Sequence, residues 1–153
     1  MYDSVVRALR ALRKSDAGVA AVELAMSLPL LVLIAIGVAD FGRMYFTTIA
    51  VANSTRAGAH YGAQSTVKSG NFTAIDQATR NDAADLGAIS VTSSRFCRCP
   101  DGSAPACTGT CASYGGPEVF VSVTASKTHS FLIDYPGLPP SVSITRSAVF
   151  RAQ

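Results

Sequence analysis

Residues 19–39 read VAAVELAMSLPLLVLIAIGVA, an apolar run in which Glu23 is the single ionisable side chain. Wound as a helix at about 1.5 Å per residue, the run is roughly 30 Å long, which is the thickness of a bilayer's hydrocarbon core. Its flanks give it a direction. Arg7, Arg10, Arg13 and Lys14 precede it, while only Asp40 and Arg43 follow closely. This asymmetry predicts a basic cytoplasmic leader over 1–18, a transmembrane helix over 19–39 and an extracytoplasmic domain over 40–153. The competing reading is a cleaved secretory signal ending at a small-x-small site such as Gly37-Val38-Ala39. Against it, the run exceeds the usual signal core of about 7–15 residues and Glu23 interrupts it near its start.

The composition agrees with a chain that partly avoids water. Of 153 residues 48% are hydrophobic and 15% charged, against about 25% charged in soluble domains. The net charge is +3, but once the leader is set aside, nine basic and eight acidic residues remain beyond position 18. No basic stripe is left to neutralise phosphates, so nucleic acid is not an expected partner.

Glu23 demands a reason. An ionised carboxylate at the centre of an apolar membrane helix costs on the order of 2.5–3.5 kcal/mol, so such a residue has a partner, a functional role, or a route to the headgroups. Only five residues into the span, it could snorkel. Its frame argues for a functional role, because a basic stretch is followed by Gly18 and then by an apolar helix with glutamate at the fifth position after the glycine.

Gly18-Val19-Ala20-Ala21-Val22-Glu23 resembles the junction of type IV pilin-like precursors. The longer stretch AGVAAVELAMSLPLLVLIAIGVADFGRMYF, followed by VANSTRAGAHYGAQ, is similar to the TadE-like family of tight-adherence (Flp) pilus proteins. The resemblance is strong over 7–64, weaker over 118–153, where the chain closes on SITRSAVFRAQ, and absent between. Leu24 stands where Flp-type pilins often carry an aromatic. The resemblance implies a minor pilin, initiator or assembly factor, cut between Gly18 and Val19 by a prepilin peptidase, with Glu23 acting in assembly. It also implies partners in the membrane: other pilin-like subunits and an inner-membrane assembly platform. Asp40-Phe41-Gly42 matches the family's Asp-Phe-Gly-Arg segment and has none of the companion motifs of a kinase around it.

Beyond the span the helical pattern continues to about Gln64, with Pro29 as an expected kink. Ala50, Ser54, Gly58 and Gly62 recur every four residues and leave one helix face nearly bare. Such a ladder admits close approach, either of a partner helix or of the chain's own sheet. Residues 71–87 predict a short amphipathic helix with Asn71 as N-cap, Ile75, Ala78 and Leu86 on its buried side, and Gly87 past its end. Residues 89–96 read as a weak strand. Val119, Val121, Val123 and Ala125 alternate with polar or aromatic neighbours, as do Val142, Ile144, Ala148 and Phe150, predicting two clearer strands with a Pro- and Gly-rich turn between them. The expected fold is α+β: a long N-terminal transmembrane helix continuing into a small antiparallel sheet packed on its outer part, with a short second helix.

Cys97, Cys99, Cys107 and Cys111 lie in one loop, CRCPDGSAPACTGTC. The spacing is not a usual zinc pattern and the loop has no histidine. Outside the membrane, two disulfides are the expected state, and three pairings are possible. His60 and His129 fall in different elements without a matching acid, and no nucleophile or phosphate-loop motif occurs, so neither catalysis nor a cofactor is expected. Two functions fit these features. One is a pilus structural protein acting by helix packing. The other is a single-pass envelope binding or redox module whose cysteine loop carries the activity.

Overall fold

The computed structural model describes residues 17–112 and 115–153. Residues 1–16 of the expected leader lie outside the described residues. Helix α1, Ala17–Ala63, runs through Pro29 without a break in its assignment. Contacts divide the chain into two compact units at the Phe41/Gly42 junction.

In the first unit α1 is a bare apolar helix. Its most apolar window has a mean hydropathy of 2.4 and none of it is buried in the protein. Leu24, Met26, Leu28, Leu30, Leu31, Leu33 and Val38 are each more than half exposed. A side chain of this kind gains about 1.5–3 kcal/mol when taken out of water, and here the described residues offer it no cover. The helix is long and apolar enough to cross a membrane.

The second unit holds the outer half of α1, helix α2 (Phe72–Asp82) and strands β1 (Ser90–Arg98), β2 (Glu118–Ser130) and β3 (Ser141–Arg151). The strands form an antiparallel meander in the order β1-β2-β3. Val123 stands opposite Ser93 on one side and Ala148 on the other. The alternation legible in β2 places Val121, Val123 and Ala125 inward, all fully buried. One core cluster joins Val51, Ala83, Ile89 and Ala125, and another joins Ala59, Ile75, Val121 and Val123. The expected sheet is therefore present, packed on the outer part of α1, and its strands extend beyond the expected limits.

The opposite sheet face is a field of short hydroxyls. Thr92, Thr124 and Ser147 stand in one cross-strand row, and Ser90, Ser126 and Thr145 in the next. At one end of this face Phe96 and Phe120 stack with ring centroids 5.3 Å apart. Beyond them Arg151 donates to Glu118 at 2.6 Å.

The second helix is shorter than expected. It begins where Asn71 accepts a hydrogen bond from the Ala74 amide at 3.1 Å, as an N-cap should. It ends at Asp82 and gives way to a separate 3-10 turn, Ala84–Leu86. Gly87 follows that turn with φ 68° and ψ −143°, so positive φ is its role, although not in the left-handed helical well expected for it. The buried side of α2 is carried by Ile75 and Thr79, with Ala78 only half-buried. Thr79 can be buried because its hydroxyl donates to the Ile75 carbonyl at 2.9 Å, which leaves its methyl for packing.

Candidate assembly site

Three groups of residues were singled out by the sequence, and the structure gives each a different environment. Gly18, Val19 and Glu23 lie in the first turns of α1, all exposed. A Cβ added at Gly18 meets nothing within 4 Å, so the fold itself does not require glycine there. Glu23 is exposed, and so are the neighbouring side chains Val22 at 57% and Leu24 at 58%.

The small-residue ladder is used inside the chain. Ser54, Gly58 and Gly62 are buried, and Ala50 is half-buried. A Cβ at Gly58 would fall 1.9 Å from the Thr79 hydroxyl oxygen, and one at Gly62 would fall 2.7 Å from Ile75 Cδ1 and 3.0 Å from Val121 Cγ1. These glycines let α2 and the sheet come close to the helix backbone. The polar rungs are satisfied locally: Ser54 donates to Val51 O at 2.9 Å and Thr55 to Ala52 O at 2.8 Å, so burying them leaves no orphan hydroxyl. Of the two occupants that the sequence left open, this face has taken the protein's own second helix and sheet.

The cysteines form two bonds, Cys97–Cys107 and Cys99–Cys111, a crossed pairing with sequence separations of 10 and 12. Cys97 belongs to β1 and Cys99 follows its end, so both bridges tie the connecting loop back to the sheet's rim. Cys97, Cys99 and Cys111 are buried. Within the loop Asp101 accepts from the Ser103 hydroxyl at 2.6 Å and from its amide at 2.9 Å, closing a tight turn. The Ser103 hydroxyl, then its amide, hold the Asp101 carboxyl below its ordinary value of 3.8. Among the described residues no group of three or more His, Cys, Asp or Glu side chains is placed to hold a metal ion.

Two histidines occupy unlike settings. His60 is exposed on α1 and meets Phe150 edge-on at 6.2 Å. His129 is buried on the inward face of β2, edge-on to Phe131 at 5.6 Å, and its Nε2 finds no hydrogen-bond partner among the described residues. Asp40, which the sequence marked only as the outer limit of the span, is fully buried. Tyr45, Phe46 and Ile49 were not among the expected site residues, although an aromatic pair just past an apolar run is a signal in its own right. They stand exposed at 68%, 61% and 42% on the outer half of α1.

These features define an α+β protein with one uncovered apolar N-terminal helix and a small disulfide-stapled sheet domain. Residues 18–60 match the model of the TadE-like protein family. The match bears out the resemblance read from the helix. It stops short of the sheet, α2 and the cysteine loop. Comparison with curated proteins and with solved structures gives no match.

Proposed function

We propose that the chain is a membrane-held, pilin-like structural protein of a tight-adherence pilus assembly, acting through its first helix as a minor pilin, initiator or assembly factor. The observation that carries this reading is that the family match covers the helix whose apolar surface the described residues leave uncovered. The helix spans the inner membrane over 19–39 with its N-terminus in the cytoplasm, and residues 40–153 lie outside, where the two disulfides persist. A prepilin peptidase cuts between Gly18 and Val19. In support, glycine at 18 serves no contact within the fold.

Cleavage creates an α-amino group at membrane depth, and Glu23 then has a partner. In a bundle of such helices, the carboxylate of one subunit is neutralised by the amine of its neighbour. A costly charge becomes an interaction that fixes axial register. The partners are other pilin-like subunits and the inner-membrane assembly platform.

The test is Glu23→Gln beside Glu23→Ala in the full chain. Both variants should reach the membrane fraction as the wild type does, yet lose co-purification with pilin subunits and reduce piliation. Normal piliation and unchanged partners in both variants would exclude the pairing role.

A further inference from the structure

The second unit has two unlike ends. At one of them α1 finishes: the Gln153 amide donates to the Ala63 carbonyl at 3.1 Å, and a Cβ at Gly62 would fall 3.0 Å from Val121 Cγ1, near the start of β2. From there β2 runs back along α1, because Ala59 shares a core cluster with Val121, and Val51 shares one with Ala125. From Ala125 to Ser130, where β2 ends, the strand rises roughly 17 Å. Only roughly 14 Å of α1 separates Val51 from Gly42, where the unit begins. The β2–β3 hairpin therefore turns at the end where α1 enters the unit.

That turn is apolar. Residues 131–140 read FLIDYPGLPP, with Asp134 as the single charged side chain. The Phe131 amide donates to Pro140 O at 3.3 Å and the Leu138 amide to Tyr135 O at 3.1 Å. The rings of Phe131 and Tyr135 meet edge-on at 5.6 Å. On this ordered base Leu132 and Leu138 stand 58% and 50% exposed. The opposite end of the sheet carries Arg98, Asp101, Glu118 and Arg151 instead.

The tether says what covers the two leucines. With a span over 19–39, only Asp40 and Phe41 lie between its last residue and Gly42. As helix, the step from Ala39 to Gly42 is about 5 Å, and even fully extended it is about 10 Å. Headgroups add about 5–7 Å to the hydrocarbon on each side of a bilayer. Gly42 is thus held at the headgroup layer for any angle between the two units, and the hairpin tip is at the same end of its unit.

We infer that the β2–β3 hairpin tip, through Leu132 and Leu138, seats in the extracytoplasmic headgroup layer of the lipid bilayer and gives the sheet domain a second point of attachment beside α1. The inference rests on the membrane-spanning reading of α1.

The chain contains no tryptophan, so single-tryptophan variants report one site each. Leu31→Trp, Ala104→Trp, Leu132→Trp and Leu138→Trp are made in the full chain, so that two tip positions carry the test independently. Because the tip's one charge is negative, the vesicles are zwitterionic, of phosphatidylcholine and phosphatidylethanolamine, with a nitroxide either near the headgroup or near the acyl-chain end. Leu132→Trp and Leu138→Trp should lose more emission to the shallow nitroxide than to the deep one. Leu31→Trp should show the reverse, and Ala104→Trp should lose emission only to iodide supplied on both sides of the bilayer. Greater loss to the deep nitroxide at 132 and 138 overturns the headgroup assignment. Loss to iodide alone at those positions places the tip in water, and shielding from iodide and both nitroxides shows that protein covers it; either result overturns the inference. If Leu31→Trp too escapes both nitroxides, the spanning reading fails with it, so the two failures are told apart.

Discussion

Gly58→Ala tests whether the small-residue ladder serves the chain's own fold. The added Cβ would stand 1.9 Å from Thr79 Oγ1, 3.2 Å from Thr79 Cβ and 3.3 Å from the Ile75 carbonyl oxygen. Carbon contacts are comfortable at about 3.5–4.0 Å, so more than an ångström must be found. Thr79 cannot step aside freely. It is fully buried, and its hydroxyl donates to Ile75 O at 2.9 Å, so turning it away breaks that bond inside the core. Relief therefore requires α2 to move off α1. Overpacking of this kind costs about 1–3 kcal/mol, and the severity of the clash puts the cost at the upper end. Alanine recovers about 1 kcal/mol of helix propensity that glycine forfeits. The net expectation is a loss of about 2 kcal/mol, or roughly 8 °C in melting temperature for a domain of this size.

The assay is thermal unfolding of the full chain in detergent, followed by circular dichroism, with Thr79→Ala and the double variant completing a cycle. Thr79→Ala removes the clashing oxygen, so Gly58→Ala should cost nothing, or stabilise, in that background. A coupling of at least about 1 kcal/mol is expected. A ladder that faced a partner or water would behave oppositely: Gly58→Ala would raise the melting temperature of the isolated chain and impair only association. That result, or a coupling near zero, would refute the placement of α2 against Gly58.

Intact mass of the membrane-extracted protein should show a chain beginning at Val19; a chain beginning at Met1 removes the cleavage step, and one beginning near Asp40 points to a secretory signal. Alkylation of the unfolded, unreduced protein should find no free thiol. Cys97→Ser with Cys107→Ser should destabilise the domain by about 3 kcal/mol on the loop-closure account, and an unchanged melting temperature would contradict the staple role of that bridge. Because hydrogen bonds from Ser103 lower the Asp101 carboxyl, the turn's contribution is complete above pH 3.8 and is lost as pH falls through the lower folded value. The Ser103 amide shift should therefore titrate below pH 3.8, and Ser103→Ala should bring the Asp101 midpoint back toward it.

What the sequence shows and what it withholds follow from the range of each interaction. The span, the strands β2 and β3, and the Asn71 cap are local patterns, so period, charge flank and capping residue declare them in the text. The identity of the face that a residue meets is not local. Ala50, Ser54, Gly58 and Gly62 announce only that something comes close, and whether it is a partner or the chain's own α2 depends on where a second element returns in space. Thr79 is the sharper case. Threonine on a short helix reads as polar surface until the Ile75 carbonyl takes its hydroxyl and Gly58 vacates the room for its side chain. The disulfide pairing is likewise set by how the loop folds over the end of β1 and not by spacing. One functional consequence follows. With its ladder spent on intramolecular contacts, the outer half of α1 keeps Tyr45, Phe46 and Ile49 as exposed apolar side chains, and on the assembly reading proposed above the contacts to other subunits fall to the uncovered helix before it, where Gly18 and Glu23 lie.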